Sequence, residues 1–373
     1  MKSVNQLKTW GAVLALMAWN QIGQAQILIG QTVGVTGAVA ATVKEAGIGA
    51  MLHIDAVNAA GGVNGQPIEL ITLDDKFDTQ LTLANAKTLI EERRVIALFM
   101  TRGTPHTKGI VGLLEKSGVP LIGPSTGAMV LHQPVKKQVF NVRATYQREA
   151  EKAVAHLNSI GITRMAVVHV DDSFGTDGLE GAQKGLTAAK LKAVAIAKFD
   201  RSKPDFSAIT PLLAKSDAQA IFVIGSGTAV VDGIKAAKAS GITAQFVTLS
   251  NNASAGFVKL LGDQGRGVIV TQVLPSERSI AYPMVKEAQE LARAKGLNDV
   301  SPAMLEGFAA AKVLVEGLRR AGANPSREKL QTALDGLRKF NIGGLEVSFS
   351  PTDHTGLDFA DLSIIGSDGK FKR

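Results

Sequence analysis

Two separate stretches of this chain follow the same order of elements, and this internal repeat constrains the fold most strongly. The first copy runs from the apolar segment 96–100 to the polar loop at Ser125, and the second runs from the apolar segment 220–224 to the polar loop at Ser250. Each copy predicts a strand, a glycine-containing loop, a helix, a second strand and a further loop. Open α/β sheets bind ligands in the loops at the carboxyl ends of their strands. Two such units predict two lobes that offer polar loops to a ligand held between them.

The first 25 residues have the features of a secretory signal peptide. Lys2 and Lys8 precede a ten-residue apolar run from Trp10 to Trp19, and the segment 23–25 is a small-x-small cleavage site. The apolar run is too short to span a bilayer. We therefore expect export to the periplasm, cleavage after Ala25, and no membrane insertion of the mature chain.

Composition argues against several other classes of protein. The chain has 41 basic and 33 acidic residues, and removal of Lys2 and Lys8 leaves a formal net charge of +6. The basic residues are dispersed and few aromatic residues lie among them, so we expect no nucleic-acid partner. Cysteine is absent, which excludes a disulfide framework and a lipid-bearing cysteine after the signal. About 350 mature residues are enough for two domains with separate cores.

Strand-like and helix-like patterns alternate along the mature chain. Besides the repeat, apolar runs predict strands at 27–30, 68–73, 165–170 and 194–199. Such alternation predicts right-handed crossovers and largely parallel sheets with helices on both faces, an α/β fold. After the second strand, Asp75 or Asp78 is expected to cap the next helix, because a short carboxylate accepts the exposed amides of a first turn.

Five segments carry a more specific signal, and in chain order they are 29–37 (IleGlyGlnThrValGlyValThrGly), 55–65, 73–75, 118–126 (GlyValProLeuIleGlyProSerThr) and 172–175. Together they resemble the periplasmic solute-binding proteins of the leucine/isoleucine/valine type, and the likeness covers nearly all of the mature chain. The resemblance implies a type I periplasmic binding fold, in which two doubly wound lobes are joined by three crossing segments. It also implies that the lobes close over a small solute and deliver it to an inner-membrane ABC permease.

The resemblance predicts the domain organisation. It places the crossings near Arg143 to Thr145, Val273 to Pro275, and Ser348 to Pro351. The first lobe is then expected to comprise residues 26–144 with 275–349, and the second to comprise 145–274 with 350–373.

Ligand contacts transfer from the resembling family one residue at a time. In relatives that bind amino acids, a hydroxyl residue after the fourth strand holds the ligand carboxylate, and the matching position is Thr104. A helix start favours an anion, although Thr104 as a simple helix cap remains an alternative. The next family contact falls on Ser125. The family threonine falls on Gly127 and the family acid on Ser250, and a buried ammonium without a carboxylate partner is costly. We therefore expect a small carboxylate-bearing solute other than an ordinary α-amino acid, such as an aromatic or other organic acid, and amides and unusual amino acids stay open.

Further positions complete the candidate cleft. The family's aromatic wall falls on Phe174. Arg102 suits bidentate recognition of a carboxylate, with solvated loop charge as the alternative, and Tyr146 lies beside the first crossing, with hinge packing as its alternative. The complete candidate ligand-binding set is Thr42, Arg102, Gly103, Thr104, Ser125, Thr126, Gly127, Tyr146, Phe174, Ser226, Gly227, Ser250 and Asn251.

Two other classes of function compete with transport. Residues 123–127 match the GxSxG pattern of a hydrolase nucleophile elbow, but the candidates for an acid followed by a histidine are Asp353-His354, in the expected third crossing, or His169, inside an apolar strand. We expect no enzyme activity. No motif has complete dinucleotide or metal-ligand spacing, so we expect no cofactor and no metal. An exported sensor for a membrane receptor would have the same lobes and stays open.

Overall fold

The computed structural model describes residues 26–373, which form two main sheets covered by helices. In chain order the strands are β1 (Ile27–Val33), β2 (Ile68–Asp74), β3 (Ala97–Phe99), β4 (Leu121–Ile122), β5 (Val139–Phe140), β6 (Met165–Val170), β7 (Ala195–Phe199), β8 (Ala220–Ile224), β9 (Gln245–Thr248), β10 (Ile269–Gln272), β11 (Phe340–Asn341), β12 (Glu346–Val347), β13 (Asp361–Ile365) and β14 (Phe371–Lys372).

Helices fill most of the connections between these strands. They are α1 (Ala40–Ala59), α2 (Thr79–Lys87), α3 (Thr104–Ser117), α4 (Tyr146–Ser159), α5 (Ser173–Ala188), α6 (Ile209–Lys215), α7 (Thr228–Ala239), α8 (Ala255–Leu261), α9 (Pro283–Ala294), α10 (Pro302–Ala321) and α11 (Arg327–Asp335). Among the described residues, no helix is both long and apolar enough to cross a membrane.

The two sheets have the same strand order, which confirms the repeat predicted from the sequence. The first sheet has the order β2-β1-β3-β4-β5 with parallel neighbours, and the parallel part of the second has the order β7-β6-β8-β9-β10. The antiparallel strands β13 and β14 extend the second sheet beyond β10. The units β3-α3-β4 and β8-α7-β9 therefore occupy equivalent places. We call the units built on the two sheets the first lobe and the second lobe.

Each lobe has its own hydrophobic core. In the first lobe Phe99 and Phe308 are fully buried between the sheet and helices α1 and α10. In the second lobe Phe222 and Ile224 are fully buried under helices such as α4 and α5. Burial of each such side chain contributes about 1.5 to 3 kcal/mol. Helices on both faces explain why β6 and β8 are apolar at every position but one, since parallel strands are buried on both sides.

The chain passes between the lobes three times. It leaves β5 at Phe140 and enters α4 at Tyr146, and later it leaves β10 at Gln272 and enters α9 at Pro283. The expected third passage, Ser348 to Pro351, is followed by a segment that still bonds to the end of the first lobe. Asn141 N donates to His354 O at 3.0 Å and Leu357 N donates to Val142 O at 2.9 Å, so this segment still belongs to the first lobe. We propose that the first lobe extends to about Leu357, and that the last crossing lies between Leu357 and β13.

The strand order of each sheet indicates which of its edges forms a crevice. In each sheet the direction of winding reverses at one point, between β1 and β3 in the first lobe and between β6 and β8 in the second. A crevice forms at the carboxyl ends of the strands at such a point. The loops that follow these strands approach each other, since Thr228 N donates to Ala38 O at 3.2 Å across the lobes. We call the space between these loops the cleft.

Candidate ligand-binding cleft

The two lobes are in contact along the cleft. Thr42 Oγ1 lies 3.0 Å from Ser254 Oγ, which caps α8 in the second lobe. Glu45 of α1 accepts from the first two backbone amides of α8, at 3.0 and 2.7 Å. Gly227 lies so close to Ala38 that a Cβ added to it would be 1.7 Å from the Ala38 carbonyl oxygen. These contacts define a closed arrangement, in which Thr42 and Gly227 join the lobes.

Arg102 is a buried cation that reaches across the cleft. Arg102 follows β3 in the chain, and the residue is 3% exposed. Nη1 donates to Ser125 Oγ at 3.0 Å, and Nη2 donates to the Asn251 carbonyl oxygen of the second lobe at 2.5 Å. Within residues 26–373 Arg102 makes no ion pair with a carboxylate. Its position excludes the alternative of a solvated loop charge.

No carboxylate among the described residues is in direct contact with the Arg102 guanidinium. Burial lowers the pKa of Arg102 from its ordinary value, but a guanidinium remains protonated because that ordinary value lies above 12. A buried charge without an opposite charge is costly. The guanidinium has five N–H donors, and the two bonds to Ser125 and Asn251 leave donors for an anionic group in the cleft.

A second buried cation, Arg143, lies in the first crossing. Its Nη2 donates to a Glu149 carboxylate oxygen and to Ser250 Oγ, the latter at 2.7 Å, and its Nη1 lies 3.6 Å from Glu306 Oε1. Burial lowers the pKa of Arg143, but the Glu149 and Glu306 carboxylates outweigh burial and raise it above the usual value. Its ring neighbour is Tyr146, whose centroid lies 4.6 Å from the guanidinium carbon. Arg143 therefore connects both lobes.

Two buried carboxylates, Glu149 and Glu306, complete this network. Glu149 lies in α4, is 0% exposed, and accepts from Ser250 N at 2.9 Å and from the Thr271 hydroxyl. Glu306 lies in α10 and accepts from Ser125 Oγ at 2.9 Å. A continuous series of hydrogen bonds and ion pairs thus runs from Arg102 through Ser125 and Glu306 to Arg143.

Sequence reasoning missed Arg143, Glu149, Thr271 and Glu306. The only local signal for Glu306 is a single acid within the apolar start of α10. The position of Glu149 also changes what the missing acid at Ser250 implies about the ligand. A carboxylate is present beside Ser250, because Glu149 comes from another element, but Arg143 is already its ion-pair partner.

The predicted anion loop has a compact geometry. Gly103, with φ 90°, takes the N-cap position of α3, so Thr104 is the first residue of the helix and not its cap. Thr104 Oγ1 lies 2.7 Å from Thr126 Oγ1, and both residues are 0% exposed. Ser125 N donates to Thr101 O at 2.8 Å, which joins the two loops of the first lobe.

Gly127 shows why the family threonine is missing at this position. A Cβ on Gly127 would lie 2.5 Å from Ala144 O and 2.8 Å from Tyr146 N. The Gly127 carbonyl accepts from Tyr146 N at 2.8 Å. The loop therefore packs directly on the first crossing, and a side chain at this position has no room.

Aromatic side chains surround part of the cleft. The rings of Tyr146 and Phe174 are 4.7 Å apart, and both residues are buried. In the first lobe Phe77 stacks on His106 at 4.2 Å, and Arg201 of the second lobe lies over Phe77 at 5.1 Å. Burial lowers the pKa of His106 to about 4, so this histidine is neutral at pH 7.

The second-lobe loops are tied together by Asn251. Its Nδ2 donates to Gly225 O at 2.9 Å and to Ser226 Oγ at 3.1 Å. Its buried Oδ1 has no hydrogen-bond partner among the described residues, so Asn251 retains an acceptor at the cleft. Gly227 N donates to Asn252 Oδ1 at 2.9 Å.

The GxSxG segment lacks the neighbours of a nucleophile. Ser125 Oγ is bonded to Arg102 and Glu306, whereas a serine nucleophile requires a histidine base. His169 bonds the Val170 carbonyl, and His354 bonds Asp335. Neither histidine is a partner of Ser125 in the described part of the chain.

These features place the chain among proteins that bind solutes between two lobes. A family model described as periplasmic binding protein matches residues 26–361. The chain belongs to this family, whose members bind solutes and are not enzymes. Within the family it is a type I protein of the leucine/isoleucine/valine-binding type.

Similar proteins support this placement. The chain is 26% identical over 341 residues to a Leu/Ile/Val-binding protein of Rhizobium johnstonii, with 88% of this chain and 89% of that protein covered. It is 24% identical over 304 residues to a leucine-, isoleucine-, valine-, threonine- and alanine-binding protein of Pseudomonas aeruginosa, covering 80% and 79%.

Solved structures agree over nearly the whole chain. A substrate-binding periplasmic protein of Ralstonia solanacearum has 31% identity and a TM-score of 0.85, with 93% of this chain and 99% of that chain covered. A possible leucine/isoleucine/valine-binding protein of Rhodopirellula baltica has 25% identity and a TM-score of 0.86, covering 94% and 97%.

Proposed function

We propose that this protein captures a small carboxylate-bearing solute between its lobes in the periplasm and delivers it to an inner-membrane ABC permease. One observation carries the ligand class: Arg102 is a buried guanidinium that faces the opposite lobe and has no ion-pair partner within residues 26–373. A ligand carboxylate supplies the missing opposite charge. Charge-assisted bonds to a planar guanidinium are short, directional and stronger than neutral ones.

Export and delivery rest on different support. The predicted signal peptide, residues 1–25, lies outside the described residues, and it supports export through its charge and cleavage pattern. Delivery to a permease is what the family resemblance implies. The relatives named above bind amino acids, all of which carry a carboxylate.

The proposed site combines the sequence candidates with the new network. Arg102 and Thr104 hold the carboxylate, assisted by Ser125 and Thr126 from the neighbouring loop. Gly103 and Gly127 allow the backbone geometry of this region. Tyr146 and Phe174 cover the body of the ligand, and the second lobe completes the site. The second-lobe groups are Ser226, Gly227, Ser250 and Asn251. Thr42 of the first lobe contacts the second lobe at the same cleft.

The test starts with a thermal-shift screen of the purified mature protein against aliphatic and aromatic carboxylates, their amides and amino acids. A ligand at 100 times its dissociation constant stabilises the native state by about 2.7 kcal/mol. The primary amides are matched controls, because they keep the shape of the carboxylates and lose the charge. We expect carboxylates to raise the melting temperature and amides to have no effect.

Calorimetry on Arg102→Gln then tests the site. Loss of one hydrogen bond to a charged group costs about 1.5 to 3 kcal/mol, so we expect the dissociation constant to rise about ten- to hundredfold. Arg266→Gln is the control, because Arg266 is exposed at the amino end of β10, at the edge of the sheet opposite the cleft. Equal affinities in the two variants, or amides that bind as well as carboxylates, would refute the proposed role of Arg102.

A further inference from the structure

The cleft contains a group of side chains suited to bind a ligand cation, and a cation of the protein itself already lies among them. Around one point lie the Glu149 carboxylate, the Ser250 hydroxyl, the Glu306 carboxylate and the face of the Tyr146 ring. Carboxylates, hydroxyls and aromatic faces are the groups that bind an ammonium. The guanidinium at their centre is Arg143, a residue of the protein.

We propose that Arg143 takes the place of a ligand ammonium in this cleft, and that the protein therefore selects carboxylic acids without an α-amino group. The inference rests on the proposed function and narrows its ligand class. The acceptable ligands are simple carboxylates and 2-oxo or 2-hydroxy acids, in which no cation has to be placed beside Arg143.

The contacts of Arg143 leave little capacity for a second cation. Glu149 accepts from Arg143, from Ser250 N and from the Thr271 hydroxyl. Glu306 accepts from Ser125 Oγ and lies 3.6 Å from Arg143 Nη1. Both carboxylates are therefore engaged within the protein.

The distribution of charge supports the same conclusion. Glu149 and Glu306 both lie beside Arg143, whereas Arg102 is joined to Glu306 only through the Ser125 hydroxyl. Among the described residues Arg143 has the ion-pair partners and Arg102 has none. A carboxylate beside Arg102 gives that cation a partner. An ammonium beside Arg143 would bring two like charges together in a buried site, which costs binding energy.

The first test uses the wild-type protein and matched ligands. Calorimetry compares leucine with 4-methyl-2-oxopentanoate and 4-methylpentanoate, and phenylalanine with phenylpyruvate and 3-phenylpropanoate. Within each series the carbon skeleton and the carboxylate are kept, and the ammonium is removed. We expect acids without the ammonium to bind at least about 100-fold more tightly than the amino acid. Equal or tighter binding of the amino acids would overturn the inference and leave the proposed capture of carboxylates intact. A failure of all carboxylates in the broader screen would instead remove the proposed function, and the inference with it.

The second test assigns the selection to Arg143. Arg143→Met vacates the cation position and leaves Glu149 as a partner for an ammonium. We expect the preference for the acid over the matched amino acid to fall at least about tenfold. Arg143→Met with Glu149→Gln and Glu306→Gln is the matched control, because it vacates the position and removes both neighbouring carboxylates, and it should not gain amino-acid binding. An unchanged preference in a folded Arg143→Met protein would refute the assignment.

A third variant covers loss of folding. Removal of one partner from a buried ion pair is destabilising, so the melting temperature of each variant is measured first. If Arg143→Met does not fold, Arg143→Lys retains a cation and should keep the preference against amino acids. Loss of that preference in Arg143→Lys would contradict the proposal, and its retention would support it.

Discussion

Closure of the lobes depends on the absence of a side chain at Gly227. A Cβ at this position would lie 1.7 Å from the Ala38 carbonyl oxygen and 2.8 Å from the Ala38 carbonyl carbon. Ordinary van der Waals contact requires about 3.5 Å. Because both neighbours are backbone atoms of the other lobe, Gly227→Ala must push the lobes apart by roughly 1.5 to 2 Å at this point.

The cost has two parts that separate experimentally. The backbone of Gly227, with φ 54° and ψ −125°, is one that a residue with a Cβ adopts at a cost of about 1 to 3 kcal/mol, and this part lowers stability with or without ligand. We expect the contact with Ala38 to form only when the lobes are closed, because it joins one lobe to the other. Its disruption removes the Thr228 N to Ala38 O bond, worth about 1 kcal/mol, and adds the steric conflict. We expect at least about 2 kcal/mol in total, or a dissociation constant about 30-fold higher.

Gly241→Ala is the matched control. Gly241 has φ 81°, so an alanine is also strained there, but a Cβ would have no atom within 4 Å. Calorimetry with a ligand from the carboxylate screen should show a large affinity loss for Gly227→Ala and none for Gly241→Ala, although both lose stability. Small-angle scattering at saturating ligand should show a larger radius for Gly227→Ala. Equal affinities in the two variants would mean that ligand binding does not require this closure.

Three further predictions address the anion loop, pH dependence and processing. Thr104→Ala should weaken carboxylate binding about ten- to hundredfold, because it removes one hydrogen bond to a charged group; calorimetry checks this, and an unchanged affinity would show that the hydroxyl serves only its bond to Thr126. Burial raises the pKa of Asp177 from 3.8 to about 6, so the folded state favours the protonated carboxyl. The stabilisation that comes from this protonation is complete below pH 3.8 and is lost as the pH rises through 6. Asp177→Asn should therefore raise the free energy of unfolding by up to about 3 kcal/mol at pH 8 and have little effect at pH 3.5, as denaturant titrations at the two pH values would show; an equal effect at both would contradict the ionisation argument. Intact mass of the exported protein should show Gln26 as the first residue, and retention of Lys2 and Lys8 would disprove the predicted cleavage.

Local patterns predicted the strands and the α/β class, and the family resemblance supplied the three crossings between the lobes. The strands 165–170 and 220–224 were predicted at the bounds that β6 and β8 have, because buried parallel strands form continuous apolar runs. The sequence offers two candidate caps, Asp75 and Asp78, for the helix after β2. Asp78 caps α2 through bonds to the next amides, whereas Asp75 is buried and accepts from Thr32 and Thr82. The short carboxylate of either residue suits a cap, so only the tertiary contacts distinguish them.

The candidate site could be predicted only where one loop supplies it. Arg102 was identified from its position after a strand. Arg143 was not, because its partners Ser250 and Glu306 lie 107 and 163 residues away in the chain, and no spacing pattern indicates that they meet. At Ser250 the sequence shows only that this one position lacks an acid. A buried carboxylate from α4 occupies the adjacent space, and only the fold brings it there.

Because Arg143 lies in the first crossing, exchange of the cleft loops between related proteins does not transfer it. The residues that shape a binding pocket are usually exchanged as surface loops, which tolerate substitution and can be grafted between scaffolds. Arg143 belongs instead to the first crossing between the lobes, and it bonds to Glu149 and Ser250 in one lobe while lying beside Glu306 in the other. A graft of the cleft loops alone would carry over pocket shape without this cation. A library intended to change the ligand's charge should therefore vary the crossing segment together with α4 and α10.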